Sequence, residues 1–365
     1  FSNMLRKGTF ILMKTKIQDM TSGSPGRLII LFAIPLMLGN ICQQLYTMVD
    51  TMVVGQIAGV EALAALGAVD FLMWVVTGIS TGLTQGFSIQ LSQYYGAKDF
   101  ENLRKSLAHS YRLTAFIAAG VLILSQSFAS LVLTGLHTPS NIIGMSLLYL
   151  RIIFCGIPAT AAYNMFASAL RAMGNSKTPL TAMIIASVLN VSLDLLFVAG
   201  FGWGVAGAAI ATVIAQSFSA VYCFLILRRI DIVHLTRADF MPASGMNARL
   251  MKLGIPVVFQ NIIIGVGGLV VQYVINGYGF LFVAGFTATN KLYGLLEMAA
   301  ISYGYAIVTY VGQNLGAGKI DRIRKGVRSS MLLSLLTSLI ISAAMFLFGK
   351  NILSLFISGE PQQTQ

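Results

Sequence analysis

Gln93-Tyr-Tyr-Gly-Ala97 returns 220 residues later as Gln313-Asn-Leu-Gly-Ala317, and this repeat decides the fold. Each copy ends a long apolar run and precedes a basic, amphipathic stretch. The same offset carries Ala68-Val-Asp70 onto Ala288-Thr-Asn290. Two copies of one structural unit are therefore predicted.

The composition indicates that this unit lies in a membrane. Hydrophobic residues make up 56% of the chain, charged residues only 10%, and the mean hydropathy is +0.79. Soluble domains carry about 25% charged residues. Helices suit lipid because their backbone groups are bonded within the segment. We therefore predict an all-α polytopic protein of the cell (plasma or inner) membrane.

Apolar windows long enough to cross a bilayer, about 20 residues each, divide the chain into about nine predicted transmembrane helices. These windows lie at 28–54, 62–92, 107–135, 142–168, 179–200, 205–227, 253–277, 280–311 and 327–348.

The basic residues predict the orientation of these spans. All of the 24 Lys and Arg except Arg151, Lys291 and Lys350 fall before span 1 or in the loops from even to odd spans. The positive-inside rule places those loops and the N-terminus in the cytoplasm. The net charge of +12 is thus explained by topology, and no nucleic acid partner is expected.

Six spans per unit return the chain to its starting side, which predicts parallel repeats related by an axis along the membrane normal. The expected architecture is two six-helix lobes, of which the second has only three helices before Gln365. The predicted divisions are a cytoplasmic lead (1–26), an N-terminal lobe (27–230), a cytoplasmic linker (231–248) and a partial C-terminal lobe (249–365).

Asn190 and Asp194 place an amide and a carboxylate on one face of span 5, because they are four residues apart. Placing an ionised carboxylate in hydrocarbon costs free energy, on the order of several kcal/mol. Such a group therefore usually pairs with another group, binds a cation or carries a proton. Asp50 in span 1 and Thr212 in span 6 lie at a similar depth, about 10 Å below the outer surface at 1.5 Å per residue. Oxygen donors of this kind suit hard cations, and the four residues are a predicted sodium or proton site. The alternative is that each acid is a structural, hydrogen-bonded group.

Further polar residues in the spans are candidates for a substrate cavity. Asp70 in span 2 and Glu297 in span 8 are acids that the pattern assigns equally well to function or to structure. A stripe of side chains near Asp50 in the sequence could line this cavity, and the alternative is that these residues only pack against other helices: Gln43, Gln44, Tyr46 and Met48.

No catalytic constellation is predicted, and we expect no enzyme. Gly78-Ile-Ser80-Thr-Gly82 fits a nucleophile-elbow pattern but lies within an apolar helix without the strand and turn that the motif requires. The three cysteines are odd in number and lack metal-ligand spacing. They are interpreted as packing residues, and no cofactor is expected beyond the coupling ion.

Several longer segments make the chain resemble the multidrug and toxic compound extrusion (MATE) transporters, of the DinF-like and NorM-like prokaryotic type. The resemblance covers about Arg27 to Phe356. Its marks are the Gln-x-x-Gly-Ala pair together with Tyr46–Gly55, Leu170–Pro179 and Gly204–Thr212.

This resemblance implies two six-helix lobes facing across a cleft, and export of small organic, often cationic, compounds in exchange for sodium ions or protons. It carries the coupling roles onto Asp50, Asn190, Asp194 and Thr212, and onto Asn164 of span 4. The implied partners are a small organic cation or amphipathic drug and membrane lipid, with no obligate protein partner.

One departure from the family concerns span 7. NorM-like members place a glutamate there, whereas residues 253–277 contain no acid. This favours a site in the N-terminal lobe, as in the DinF-like branch. The rival function is a lipid-linked oligosaccharide flippase of the same superfamily, which basic residues in the cleft would favour. The N-terminal spans contain acids and only one such candidate, Arg151.

Overall fold

The computed structural model describes residues 17–136, 138–276 and 280–354, and these are helical apart from short connections. Residues 1–16, His137, 277–279 and 355–365 lie outside the described part. So do the side chains of Gln272, Asn276, Asn290, Lys291 and Lys350. The helices are α1 Pro25–Val53, α2 Val60–Gly96, α3 Phe100–Gly135, α4 Ile143–Cys155, α5 Ile157–Ala172, α6 Lys177–Asp194, α7 Gly204–Leu227, α8 Met246–Asn276, α9 Phe280–Gly316 and α10 Ile320–Ser354. Two short 3₁₀ turns, Asp231–Val233 and Arg237–Phe240, lie in the linker.

Six helices of the described residues are long and apolar enough to span a bilayer, or up to eight spans if two bent segments are each counted as one. The count of nine stays a prediction. One bent segment is α4–α5, with a 45° bend at Gly156. Pro158 lies in the first turn of α5, where its missing N–H is tolerated. Span 4 is therefore kinked at this point.

Helices α1 to α7 pack around two apolar cores. One core includes Phe87, Leu107 and Leu170. The other core includes Leu66 and Leu150 and lies nearer the other end of the bundle, where α1 ends and α2 begins. Helix α6 packs between α1 and α7, so these three helices are immediate neighbours. This arrangement positions the polar residues of spans 1, 5 and 6 together.

The helices α8 to α10 form a second group that packs against α1 and α2. Helix α2 approaches α8 closely because small residues face each other. A Cβ at Gly86 would overlap the backbone of Gly254, and a Cβ at Gly82 would lie 2.9 Å from the backbone of Val258.

Residues 17–24, which we call the N-terminal strap, cross from one helix group to the other. The backbone N–H of Gln18 donates to the carbonyl of Gly174, after α5, over 3.1 Å. The backbone N–H of Met20 donates to Oε1 of Gln313, on α9, over 3.0 Å. Met20 is fully buried. We refer to the end of the bundle that holds these contacts as the strap end.

Candidate functional site

Three polar residues of α1 and α6 are buried near the end of the bundle opposite the strap. Asp50 is 6% exposed, and Asn190 and Asp194 are 0% exposed. Each acid lies close to the end of its helix, since α6 ends at Asp194 and α1 three residues beyond Asp50. Two acids buried to this degree need a chemical reason, because nothing in an apolar bundle compensates an isolated charge.

Thr212 joins this group from α7. Nδ2 of Asn190 donates to Oγ1 of Thr212 over 3.4 Å, and Thr212 is half-buried. Asp194 is one helical turn beyond Asn190 on the same face. The carboxylate of Asp194 lies within electrostatic range of Asp50. The four residues that the sequence assigned to one layer are therefore neighbours.

Four oxygens of this group receive no hydrogen bond from the described residues. Within the described part of the chain, no hydrogen bond reaches Oδ1 of Asp50, Oδ1 of Asn190 or either carboxylate oxygen of Asp194, and all four atoms are buried. Buried acceptors are nearly always satisfied in proteins. A proton or a small hard cation would supply the missing partner, and the donor set of carboxylate, amide and hydroxyl oxygens fits sodium. A cation would also offset the repulsion between the two carboxylates.

Two residues that sequence reasoning missed lie beside this group. Nε2 of Gln216 approaches Oη of Tyr46 at 3.5 Å, and Oε1 of Gln216 is a further buried acceptor that receives no hydrogen bond from the described residues. Tyr149 of α4 is 5% exposed and lies within electrostatic range of Asp50 and Asp194. Gln216 follows Thr212 by one turn, so spacing on span 6 could have identified it.

Both helices that carry an acid change geometry directly after it. A π turn, Val54–Ala58, follows α1, and a second π turn, Leu195–Gly200, follows α6. The two turns pack against each other. Such widened turns are rare and often accompany functional sites. The sequence carried no signal for them.

Asn164 lies apart from the group. Its amide donates to Oγ1 of Thr81, on α2, over 3.2 Å. Thr81 is eleven residues beyond Asp70 along α2, which is about 16 Å nearer the strap end. The structure therefore does not bring Asn164 to Asp50 or Asp194.

The candidate cavity residues are distributed more widely. Asp70 is exposed on α2, within electrostatic range of Asp50, and Glu297 is exposed on α9. On α1, Gln43 and Tyr46 share a face with Asp50 because they are seven and four residues before it. Gln44 lies about a third of a turn away from that face, and Met48 nearly half a turn away. The predicted stripe thus divides into two faces.

The cysteines correct one sequence interpretation. All three are free; Cys223 is buried and Cys42 is half-buried, but Cys155 is exposed. Cys155 is therefore not a packing residue. It lies on the outer surface of the bundle where α4 meets α3.

Comparison with known proteins agrees with this geometry. The probable multidrug resistance proteins YpnP and YoeA of Bacillus subtilis (strain 168) are 31% and 28% identical to this chain, over 94% and 93% of its length. The chain covers 77% and 75% of those two proteins. The fold matches a structure described as an outward-facing multidrug resistance MATE family transporter of the MOP superfamily, with a TM-score of 0.90 and 23% identity. That match covers 96% of this chain and 78% of the other. The sequence also matches the MatE family over residues 35–196 and 256–361, and the chain belongs to the MATE family of multidrug efflux transporters.

Proposed function

We propose that this protein is a secondary antiporter that exports small organic, often cationic, compounds in exchange for sodium ions or protons. One observation carries the coupling site: four buried oxygens of Asp50, Asn190 and Asp194 have no donor within the described chain. Such a cluster gains more from a bound cation or proton than from any rearrangement of apolar neighbours.

The proposed coupling step begins when a sodium ion or a proton binds to this cluster of oxygens. A sodium ion or proton bound there neutralises charge between α1 and α6, and the two helices then have a different lowest-energy arrangement. An ion that binds one conformation better than the other shifts the population toward it. The packing of both acids beside the π turns supports such a response, because a widened turn is the least regular part of each helix.

Substrate attraction is assigned to the exposed acids. Asp70 and Glu297 are both exposed on helices of the bundle, and their charge favours a cationic compound over an anionic one. The names of YpnP and YoeA, probable multidrug resistance proteins, support a small-molecule substrate. The proposed location is the plasma membrane, with the strap end in the cytoplasm as the basic loops require.

The flippase alternative rests on basic residues in a cleft, and Arg151 was the sequence candidate. Arg151 is exposed in a groove formed by α3 and α4. Asp50 and Asp194 are buried on α1 and α6. The antiporter is therefore the function proposed.

The test has two measurements on the purified chain. Binding of radioactive sodium is measured in detergent across a pH series, and ethidium efflux is measured in proteoliposomes with sodium and proton gradients imposed separately. Asp50→Asn and Asp194→Asn keep the side-chain shape and remove the titrating charge, so both should abolish coupled efflux. The gradient that drives efflux in the wild type identifies the ion.

Ser192→Ala is the matched control. Ser192 is exposed on the same helix as Asp194, and its hydroxyl donates to its own helix at Val188. This variant should transport as the wild type does. Undiminished gradient-driven efflux in both Asn variants would show that the coupling site lies elsewhere, with Glu297 as the next residue to test.

A further inference from the structure

Arg151 is isolated in the sequence and in the structure. It is the only Lys, Arg, Asp or Glu between Arg112 and Arg171, and it is exposed on α4. Charged side chains within spanning helices are costly unless they face a partner or reach the membrane interface. The question is what partners this guanidinium.

The described residues supply no counter-ion for it. The ion pairs among them join Arg104 to Asp239 and Lys105 to Glu101, and all four of these residues belong to the loops and helix ends near the linker. The side chain of Arg151 donates no hydrogen bond within the same part of the chain. Its five N–H donors are thus available to a group outside the protein.

Arg151 lines a groove between α3 and α4 of about 650 Å³. The other lining residues are mainly apolar: Leu122, Ile123, Gln126, Ser127, Ile152 and Cys155. The groove is held in shape by one side chain, because Nε2 of Gln126 donates to the carbonyl of Arg151 over 2.8 Å and approaches Sγ of Cys155 at 3.3 Å. The groove wall is therefore fixed while the guanidinium stays unpaired.

The direction of α4 sets the level of the charge. Arg151 is eight residues after Ile143, where α4 begins at the end opposite the strap, so its Cα lies about 12 Å from that end. Side chains of a helix tilt toward its N-terminus, and a long arginine side chain extends toward the polar interface. The guanidinium consequently points to the headgroup level of the outer leaflet, whose polar region is about 5–7 Å deep.

We propose that the α3–α4 groove binds a phospholipid of the outer leaflet. The guanidinium of Arg151 receives the lipid phosphate, for which its planar fork of donors is suited. One acyl chain lies along Leu122, Ile123 and Ile152. An anionic headgroup such as phosphatidylglycerol binds more tightly than a zwitterionic one, because the groove holds a positive charge and no acid.

The test uses the full chain in detergent with phosphatidylglycerol, and lipid retention is measured by native mass spectrometry. Arg151→Met should weaken retention about tenfold, the effect of losing a charge-assisted hydrogen bond. Arg151→Lys should lose less, since it keeps the charge but not the fork. Arg151 is exposed and makes no side-chain hydrogen bond among the described residues, so the thermal unfolding midpoint of Arg151→Met without added lipid should be no lower than that of the wild type.

Location is tested with a phosphatidylglycerol that carries a photoactivatable diazirine in one acyl chain. Crosslinks in the wild type should map to α3 and α4. Ile123→Trp keeps Arg151 but fills the groove. Ile123 is 64% exposed, so the fold tolerates the larger ring. Crosslinking to α3 and α4 should fall in this variant. Arg228→Met, which removes another exposed arginine at the strap end, should leave it unchanged.

Three results would overturn the proposal. The first is equal lipid retention by the wild type and Arg151→Met. The second is a crosslink pattern that leaves α3 and α4 unlabelled. The third is displacement of the lipid by inorganic phosphate or glycerophosphoglycerol alone, because an anion site without an acyl groove would bind those as well.

Discussion

Gly96 of α2 lies directly against the backbone carbonyl of Gln313 of α9, and Gly316 of α9 lies in the same way against the carbonyl of Gln93 of α2. The two contacts are reciprocal because both belong to the repeated Gln-x-x-Gly-Ala segment. A Cβ at either glycine would overlap backbone atoms. The repeat detected in the sequence is therefore the place where the two helix groups meet at the strap end.

Because α2 and α9 cross so closely, adding a methyl group at Gly96 should lower the stability of the protein. Gly96→Ala should destabilise the contact by about 1–3 kcal/mol, since overpacking against backbone cannot be relieved by a rotamer change. The measurement is the thermal unfolding midpoint in detergent, together with maleimide labelling of Ser92→Cys, because Ser92 is fully buried beside the same crossing. Both the loss of stability and new labelling are expected.

Gly120→Ala provides the control for this substitution. Gly120 lies within α3, and a Cβ there would meet nothing within 4 Å, so the change should be neutral or stabilising by up to about 1 kcal/mol. Equal effects of Gly96→Ala and Gly120→Ala would mean that the crossing is not as close as described.

Gln313 fastens the strap to both helix groups. Its Oε1 accepts from the N–H of Met20, and its Nε2 donates to the carbonyl of Ala172 over 2.8 Å. Gln313→Ala leaves two buried backbone groups without partners, at about 1–3 kcal/mol each. We expect a loss of about 2–6 kcal/mol in the free energy of unfolding, measured by denaturation in detergent. Gln93 occupies the matching repeat position and is partly exposed, so Gln93→Ala should lower the free energy of unfolding much less. A larger loss for Gln93→Ala than for Gln313→Ala would refute the strap's role.

Thr212 predicts a graded effect on ion binding. Thr212→Ala removes the hydroxyl that accepts from Asn190 over 3.4 Å and one oxygen from the donor set. One neutral hydrogen bond corresponds to about 0.5–1.5 kcal/mol, so sodium affinity should fall roughly twofold to tenfold. The measurement is radioactive sodium binding, and Thr212→Ser should restore it.

Ser217→Ala is the control on the same helix, because that hydroxyl donates only to the carbonyl of Val213. Its sodium affinity should match that of the wild type. A proton-coupled protein would show no sodium binding in any of these variants, and Thr212→Ala would then leave efflux almost unchanged.

Asp194 predicts a link between the ion and stability. Sodium that binds only the folded protein raises the unfolding midpoint by mass action. In Asp194→Asn this rise should disappear, while the midpoint without sodium should stay equal or increase, since a buried charge without a donor is removed. The measurement is thermal unfolding with and without saturating sodium. A full sodium-dependent rise in Asp194→Asn would exclude this residue as a ligand.

Asp19 gives the strap a dependence on acid pH. Partial burial works to raise the pKa of Asp19, but hydrogen bonds from Thr21 and Ser22 outweigh it, and the pKa lies below its usual range. A lowered pKa stabilises the folded protein above the ordinary value of about 3.9 and loses that effect as the pH falls through the lowered value. Asp19→Asn should therefore lower the unfolding midpoint near pH 6, and its difference from the wild type should shrink as the pH falls below about 3.9. Asp231→Asn, at an exposed position of the linker, is the control near pH 6 and should leave the midpoint there unchanged.

The sequence predicted the depth and grouping of the buried acids because helical geometry is regular. A rise of 1.5 Å per residue places Asp50, Asp194 and Thr212 in one layer without knowledge of packing. Asn164, which the resemblance alone assigned to the site, lies elsewhere, beside Thr81. Tyr149 escaped this reasoning, since its approach to the acids depends on how α4 packs against α2 and α7.

The strap and the π turns could not be predicted for a different reason. Residues 17–24 read only as part of a polar lead, and their structure comes from partners such as Gln313 that are almost 300 positions away. The π turns arise from packing at Val54–Ala58 and Leu195–Gly200, whose compositions are ordinary for apolar helices. Long-range contacts decide both features.

The two π turns are places where the chain can gain or lose a residue at the ends of the acid-bearing helices α1 and α6. A π turn holds one more residue than the α-helical turn it replaces, and one residue corresponds to a rotation of about 100° around the helix. Inserting or deleting a single residue within Val54–Ala58 or Leu195–Gly200 would re-aim the connection that follows each turn while leaving Asp50 and Asp194 in place. A change of length at either turn therefore reshapes this end of the bundle without moving the acids.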